Sequence, residues 1–201
     1  MSPWNFYNSS GELQINDGGV LASAAVFTGK VDLGSNLLVG NAGSTGIAIS
    51  ANGEVVMAAQ PGFLAHSAAD QNNSTGDGTL VTIVYGTEIF DQNSDFDGVS
   101  TFTAPVTGRY LLRVTAQLLQ LASGHVQNVF NIVTSNRSYI QAVNPYAVFD
   151  ATATFTNCEL VEIVDMDAGN TAYFTVDVAG GAKSVDIGSG LSTRFSGWLL
   201  G

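Results

Sequence analysis

From residue 80 onward the chain alternates apolar and polar side chains at every second position, the period of an extended strand half-buried on one face. The clearest run is 110–120. Tyr110, Leu112, Val114, Ala116 and Leu118 share one face, and Arg113, Thr115 and Gln117 share the other. The first face predicts core. Leu111 and Leu119 fall on the mixed face, so that face is expected to be covered as well, as at a subunit interface. Further strands are predicted at 80–85, 101–104, 126–134, 139–143, 152–164, 172–178, 184–187 and 194–200, each bounded by Gly, Asn or Asp. No segment carries a sustained helical period with caps. About nine short strands at this spacing predict an all-β sandwich or barrel.

Residues 1–60 follow another pattern. Apolar runs are very short, at 13–15, 20–27, 37–39, 47–49 and 55–57, and Gly interrupts them at nearly every turn. Some 60 residues with few large side chains and no staple bury too little to fold alone. A core shared between chains, as in an intertwined trimeric β-shaft, is the physical solution. Gln60-Pro61-Gly62 marks the expected boundary, giving a shaft or connector over 1–60 and a knob over 61–201.

Composition adds to the picture of assembly. The 201 residues are 45% apolar and only 11% charged, against roughly 25% charged in an average soluble protein. The polar surface is therefore largely Asn, Ser, Thr, Gln and Gly, a composition that suits fibres and outer proteins packed against their own copies. Seventeen acidic residues against six basic ones give a formal charge of −11, which repels phosphate backbones and excludes nucleic acid as a partner. Cys158 is the single cysteine, so no intrachain disulfide forms. The N-terminus lacks a basic region followed by an apolar core, and no apolar run approaches the roughly 20 residues that span a bilayer; neither a signal peptide nor a membrane-inserted segment is expected.

Two segments carry a resemblance. Phe102-Thr-Ala-Pro105-Val-Thr-Gly108-Arg-Tyr110-Leu-Leu112-Arg-Val114 resembles the Phe-x-x-Pro-x-x-Gly-x-Tyr-x-Phe segment of the complement component 1q and tumour-necrosis-factor-like superfamily. Phe195-Ser-Gly197-Trp198-Leu199-Leu200 resembles its closing Phe-Ser-Gly-Phe-Leu-Leu strand. Leu112 and Val114 stand where the family has aromatics. The resemblance implies a ten-strand-type jelly-roll sandwich, complement component 1q / TNF-like, in a homotrimer. Phe102, Gly108, Tyr110, Phe195, Gly197 and Trp198 are then structural core: Pro105 and Gly108 turn the chain into the long strand, Phe102 and Tyr110 supply buried area, and Gly197 permits close packing where the last strand closes the core. Thr75-Gly-Asp77-Gly-Thr79, the stretch Phe90 to Gly98, and the opening Trp4-Asn-Phe-Tyr-Asn-Ser-Ser-Gly are similar to the form of this domain at the ends of bacteriophage fibres.

Candidate chemistry is sparse. Asp91, Asp95 and Asp97 gather oxygen donors in one loop, and both turn formation and calcium ligation fit them; Asp165 and Asp167 form a second acidic turn. Calcium is the one cofactor considered. His66 and His125 sit in no Ser or Cys motif, and Cys158 reads as a small strand hydrophobe. Glu159 and Glu162 are spaced to opposite faces of a strand, the wrong arrangement for a hydrolytic carboxylate pair. Asn136, Arg137, Tyr139 and Tyr146 combine polar groups with aromatic faces, as a saccharide site does.

A non-enzymatic, homotrimeric virion surface protein follows as the expectation: a phage fibre, joined to other virion or fibre proteins, whose knob binds a host polysaccharide or protein. The alternatives are a trimerisation cap or capsid decoration protein without receptor binding, and a glycan-degrading spike.

Overall fold

In a computed structural model, the structure describes residues 47–49, 52–145 and 153–201. All of them belong to the second of two compact units, Asn41–Gly201. Within residues 1–60, expected to form a shaft, Ile47–Ile49 (β1) and Val55–Met57 (β2) pair as an antiparallel hairpin. The opening stretch from Trp4 lies outside the described residues.

Twelve further strands follow: β3 Gly62–Ser67, β4 Gln71–Thr75, β5 Leu80–Thr82, β6 Gly86–Asp91, β7 Phe102–Thr103, β8 Gly108–Leu121, β9 Gln127–Thr134, β10 Ser138–Val143, β11 Ala153–Met166, β12 Thr171–Ala179, β13 Val185–Ile187 and β14 Gly190–Leu199. The larger sheet runs β4-β13-β8-β14-β3-β6, with β11 on the other side of β8. The smaller runs β10-β9-β12-β5, with β7 also on β12. Every pairing is antiparallel. The jelly-roll sandwich expected from the sequence is the architecture found.

All nine predicted strands are present with shifted ends, and β3, β4 and β6 were not predicted. β4 reads QNNST and offers no alternation to detect; it is a strand because β13 supplies its ladder. The predicted strand 80–85 stops at Thr82. Ile83 and Tyr85 leave the ladder to become fully buried, their N–H groups donating to Phe174 O and Val99 O.

The core lies between the sheets. Tyr110, Leu112, Val114, Ala116 and Leu118 are fully buried, as the alternation of β8 requires, and face Ile132, Phe174, Val176 and Val178 within one cluster. Phe63 stands at its aromatic centre, stacked on Phe96 at 5.2 Å and Phe102 at 4.9 Å and edge-on to Phe195 at 4.8 Å. Phe102 meets Tyr110 at 5.4 Å, and the Tyr110 hydroxyl donates to Val106 O at 2.6 Å, tying the turn after Pro105 to the strand it starts. Gly108 is half-buried at the start of that strand.

One core assignment is corrected. Trp198 is 38% exposed. β14 turns Phe195 and Gly197 inward, so the next position along faces out. The partners of Gly197 are correspondingly Phe63 and Leu112, which lie so close that a Cβ there would meet Phe63 Cε1 at 2.6 Å and Leu112 Cδ2 at 2.8 Å.

Candidate functional site

β9 and β10 are joined by a tight turn that places Asn136 and Arg137 beside the end of β11. There, Asp165 gathers three of the four residues expected to contact a ligand. Arg137 Nη2 donates to Asp165 Oδ2 at 2.9 Å, the Tyr139 hydroxyl reaches Oδ1 at 3.5 Å, and Asn136 Nδ2 donates to the Asp165 carbonyl at 3.4 Å. The ion pair is open to solvent, its side chains 55% and 58% exposed. Desolvation raises the Tyr139 phenol above its ordinary value, Arg137 opposing and Asp165 adding to the shift, so the hydroxyl stays a donor. Arg109 pairs with Asp165 across the β8–β11 ladder, and Thr107, Arg109, Asn136, Asp165 and Asp167 line a shallow hollow of about 380 Å³ beside it. Amide, guanidinium and carboxylate groups around such a hollow can bind hydroxyl-rich ligands.

Tyr146, the fourth residue, lies outside the described residues. Pro145, just before it, is separated from the cluster by the whole of β10 and lines a different pocket, between the sheets, with Asn128, Phe130 and Gln141. Sequence reading missed both Asp165 as the centre of the cluster and Asn128. Asp165 was legible as acid in a turn, but its partners come from another hairpin.

The loop carboxylates are engaged within the loop itself, Asp91 and Asp97 by backbone N–H groups and Asp95 by a side-chain amide. Asp91 accepts the N–H groups of Asp95 at 3.1 Å and Phe96 at 2.9 Å. Asp97 Oδ1 accepts those of Val99, Ser100 and Thr101 at 2.7–2.9 Å. The Asn93 amide donates to Asp95. Among the described residues, no group of three or more His, Cys, Asp or Glu side chains is arranged to hold a metal ion.

The remaining candidates have structural partners. His125 is buried, its Nδ1 accepting the Ala122 N–H at 2.9 Å and its Nε2 lying 3.4 Å from Ala182 O. His66 Nδ1 lies 3.0 Å from Ser67 O. Burial pushes the Cys158 thiol up to about 12, and its Sγ donates to Ala116 O at 3.2 Å. Glu159 pairs with Arg113 on the outward face of β11, and Glu162, three residues on, belongs to the opposite face.

A second surface covers the outer face of the larger sheet. Ile163, Leu111 and Trp198 are cross-strand neighbours on β11, β8 and β14. Phe90 on β6 approaches the Trp198 ring at 6.3 Å. Val161, Ile163, Trp198 and Phe90 are all exposed in the single chain, and Phe155, further along β11, is 61% exposed. No helix among the described residues is long and apolar enough to cross a membrane.

No protein-family model matches the sequence, and none of the curated proteins matches it. Solved structures do. The globular domain of zebrafish complement 1qA protein is similar at 15% identity and a TM-score of 0.48, over 71% of this chain and 98% of that one. Murine APRIL, crystallised at pH 8.5, is similar at 11% identity and a TM-score of 0.46, over 70% of this chain and 99% of that one. The likeness is one of fold.

Proposed function

We propose that the chain is a homotrimeric fibre or surface protein of a phage virion, and that its jelly-roll knob adsorbs to a host-cell surface glycan or protein. The outer face of the larger sheet carries this reading. Ile163, Leu111 and Trp198 form a row across β11, β8 and β14, and Phe90 of β6 reaches the Trp198 ring over β3; a contiguous apolar row of this kind marks a contact surface. The low charge of the chain and the motif resemblance to phage-fibre domains support the same assembly. Three copies give three weak sites on one rigid body, so avidity rather than a single deep pocket supplies adsorption. The knob works by binding and carries no chemistry of its own.

Light scattering of the purified chain tests the assembly, with a trimer mass expected; a monomer mass overturns the reading. Fluorescently labelled protein on a panel of bacterial cells, with and without a calcium chelator, tests adsorption and any part played by calcium. A trimer that neither binds cells nor blocks phage adsorption identifies a trimerisation cap or decoration protein instead.

A further inference from the structure

The two sheets leave a gap where β10 faces β11, and a pocket of about 210 Å³ opens there. Its lining follows from register. Val143 lies opposite Asn128 and Gln141 opposite Phe130 in the β9–β10 ladder, so these four share one face of the smaller sheet. Thr156 and Cys158 close the pocket from β11.

Asn128 is only 4% exposed, yet its Oδ1 has no hydrogen-bond partner. An orphaned amide oxygen at that depth is a standing cost, and native proteins keep few of them. Rotation about the soft terminal torsion of an Asn side chain is enough to present either amide atom to the pocket. The site thus asks for a hydrogen-bond donor that the chain does not supply. The pocket also offers the Phe130 ring and the Gln141 amide, while the formal charge of −11 disfavours an anion.

We propose that this pocket holds one neutral, hydroxyl-rich sugar unit of a larger glycan. A ring hydroxyl donates to Asn128, the apolar face of the sugar lies on Phe130, and further hydroxyls meet Gln141. The proposal rests on the reading of the knob as a host-binding module and narrows it: the ligand is a glycan, and it enters between the sheets rather than at the Asp165 cluster.

The test is a titration of the full chain, isotope-labelled for NMR, with the methyl glycosides of glucose, galactose, mannose, rhamnose and N-acetylglucosamine. At least one is expected to shift the side-chain amide signals of Asn128 and Gln141 saturably. Asn128→Leu should weaken that binding about tenfold with no loss in the unfolding midpoint, because a buried amide lacking a partner is removed. Gln141→Ala, on an exposed side chain, weakens binding without touching the core. The proposal is overturned if none of the five glycosides moves these signals, or if Asn128→Leu loses stability and keeps its affinity. Cell binding separates it from the broader reading. Adsorption that glycosides do not compete and Asn128→Leu does not weaken overturns the pocket alone. Saturable glycoside binding without adsorption to any cell supports the pocket and overturns the host-binding reading.

Discussion

Asp186 accepts the backbone N–H of Asn73 at 2.6 Å, although the two residues are 113 positions apart. Its other oxygen takes the Gln120 amide at 2.5 Å. Asn73 and Gln120 both hold left-handed backbone, at φ 49° and 60°, a conformation that costs a non-Gly residue about 1–2 kcal/mol. One buried carboxylate thus pins two strained positions, on β4 and near the end of β8.

Asp186→Ala removes the acceptor and leaves the strain. The expected loss is about 2–4 kcal/mol, read from the urea unfolding midpoint. Asn73→Gly, which relieves the strain and keeps the backbone donor, is expected to be close to neutral.

Gly197→Ala places a methyl against the Phe63 ring and Leu112, both fully buried. The surrounding core cannot give way easily, so the variant is expected to lose about 1–3 kcal/mol. Thermal unfolding checks this. A variant as stable as the parent would show that β14 can lift away from β3 without cost.

Trp198→Asp with Ile163→Asp puts two charges on the outer face of the larger sheet while the core between the sheets is untouched. Light scattering is expected to fall from the trimer to the monomer mass, with the strand circular dichroism retained. Loss of folding instead of loss of assembly would place these side chains in the stability of the single chain.

Acid stability separates Asp97 from Asp95. Burial pushes the Asp97 carboxyl up, but the bonds from Thr101, Ser100 and Val99 outweigh it and hold it below its ordinary value. Its contribution is complete above the ordinary carboxylate value, near about 4, and is lost as pH falls through the lower folded value. Burial raises Asp95 despite the Asn93 amide, so its ionised form opposes folding and that cost disappears on acidification. Asp97→Asn is therefore expected to lower stability at neutral pH and flatten the acid loss. Asp95→Asn should raise neutral stability slightly and steepen the net acid loss. Urea midpoints between about pH 3 and pH 6 measure both.

Asp165→Ala dissolves the contacts of Arg137 and Tyr139 at the solvent-facing cluster. An exposed ion pair contributes under about 1 kcal/mol, so the melting temperature should barely move. Cell adsorption is expected to persist, because the sugar pocket lies toward the other end of β10.

Much of the fold was legible because alternation is a local signal. The five inward residues of β8 could be read one by one, and Phe102, Tyr110, Phe195 and Gly197 stood in motifs whose spacing already implied packing. Trp198 misled for the same reason. A large aromatic beside inward residues reads as core until the parity of its strand is known. β4 and β6 escaped because their burial is slight, and the ladder of β4 is provided by β13, far away in sequence.

The binding surfaces were less legible. Asn136, Arg137 and Tyr139 were found by composition, but Asp165 became their centre only when the end of β11 was brought beside the β9–β10 turn. Asn128 drew no notice at all, since one Asn at an inward position of a strand looks like any other until its amide is found without a partner. The sequence by itself determined nine of the strands and the inner face of β8, because these depend on side-chain type and on a period of two. Only the tertiary structure decided which strands lie side by side, and hence that Asp186 would pin Asn73 and that a gap lined by Asn128 would open between the sheets. Such sites are made by residues far apart in the chain, and no local pattern records their meeting.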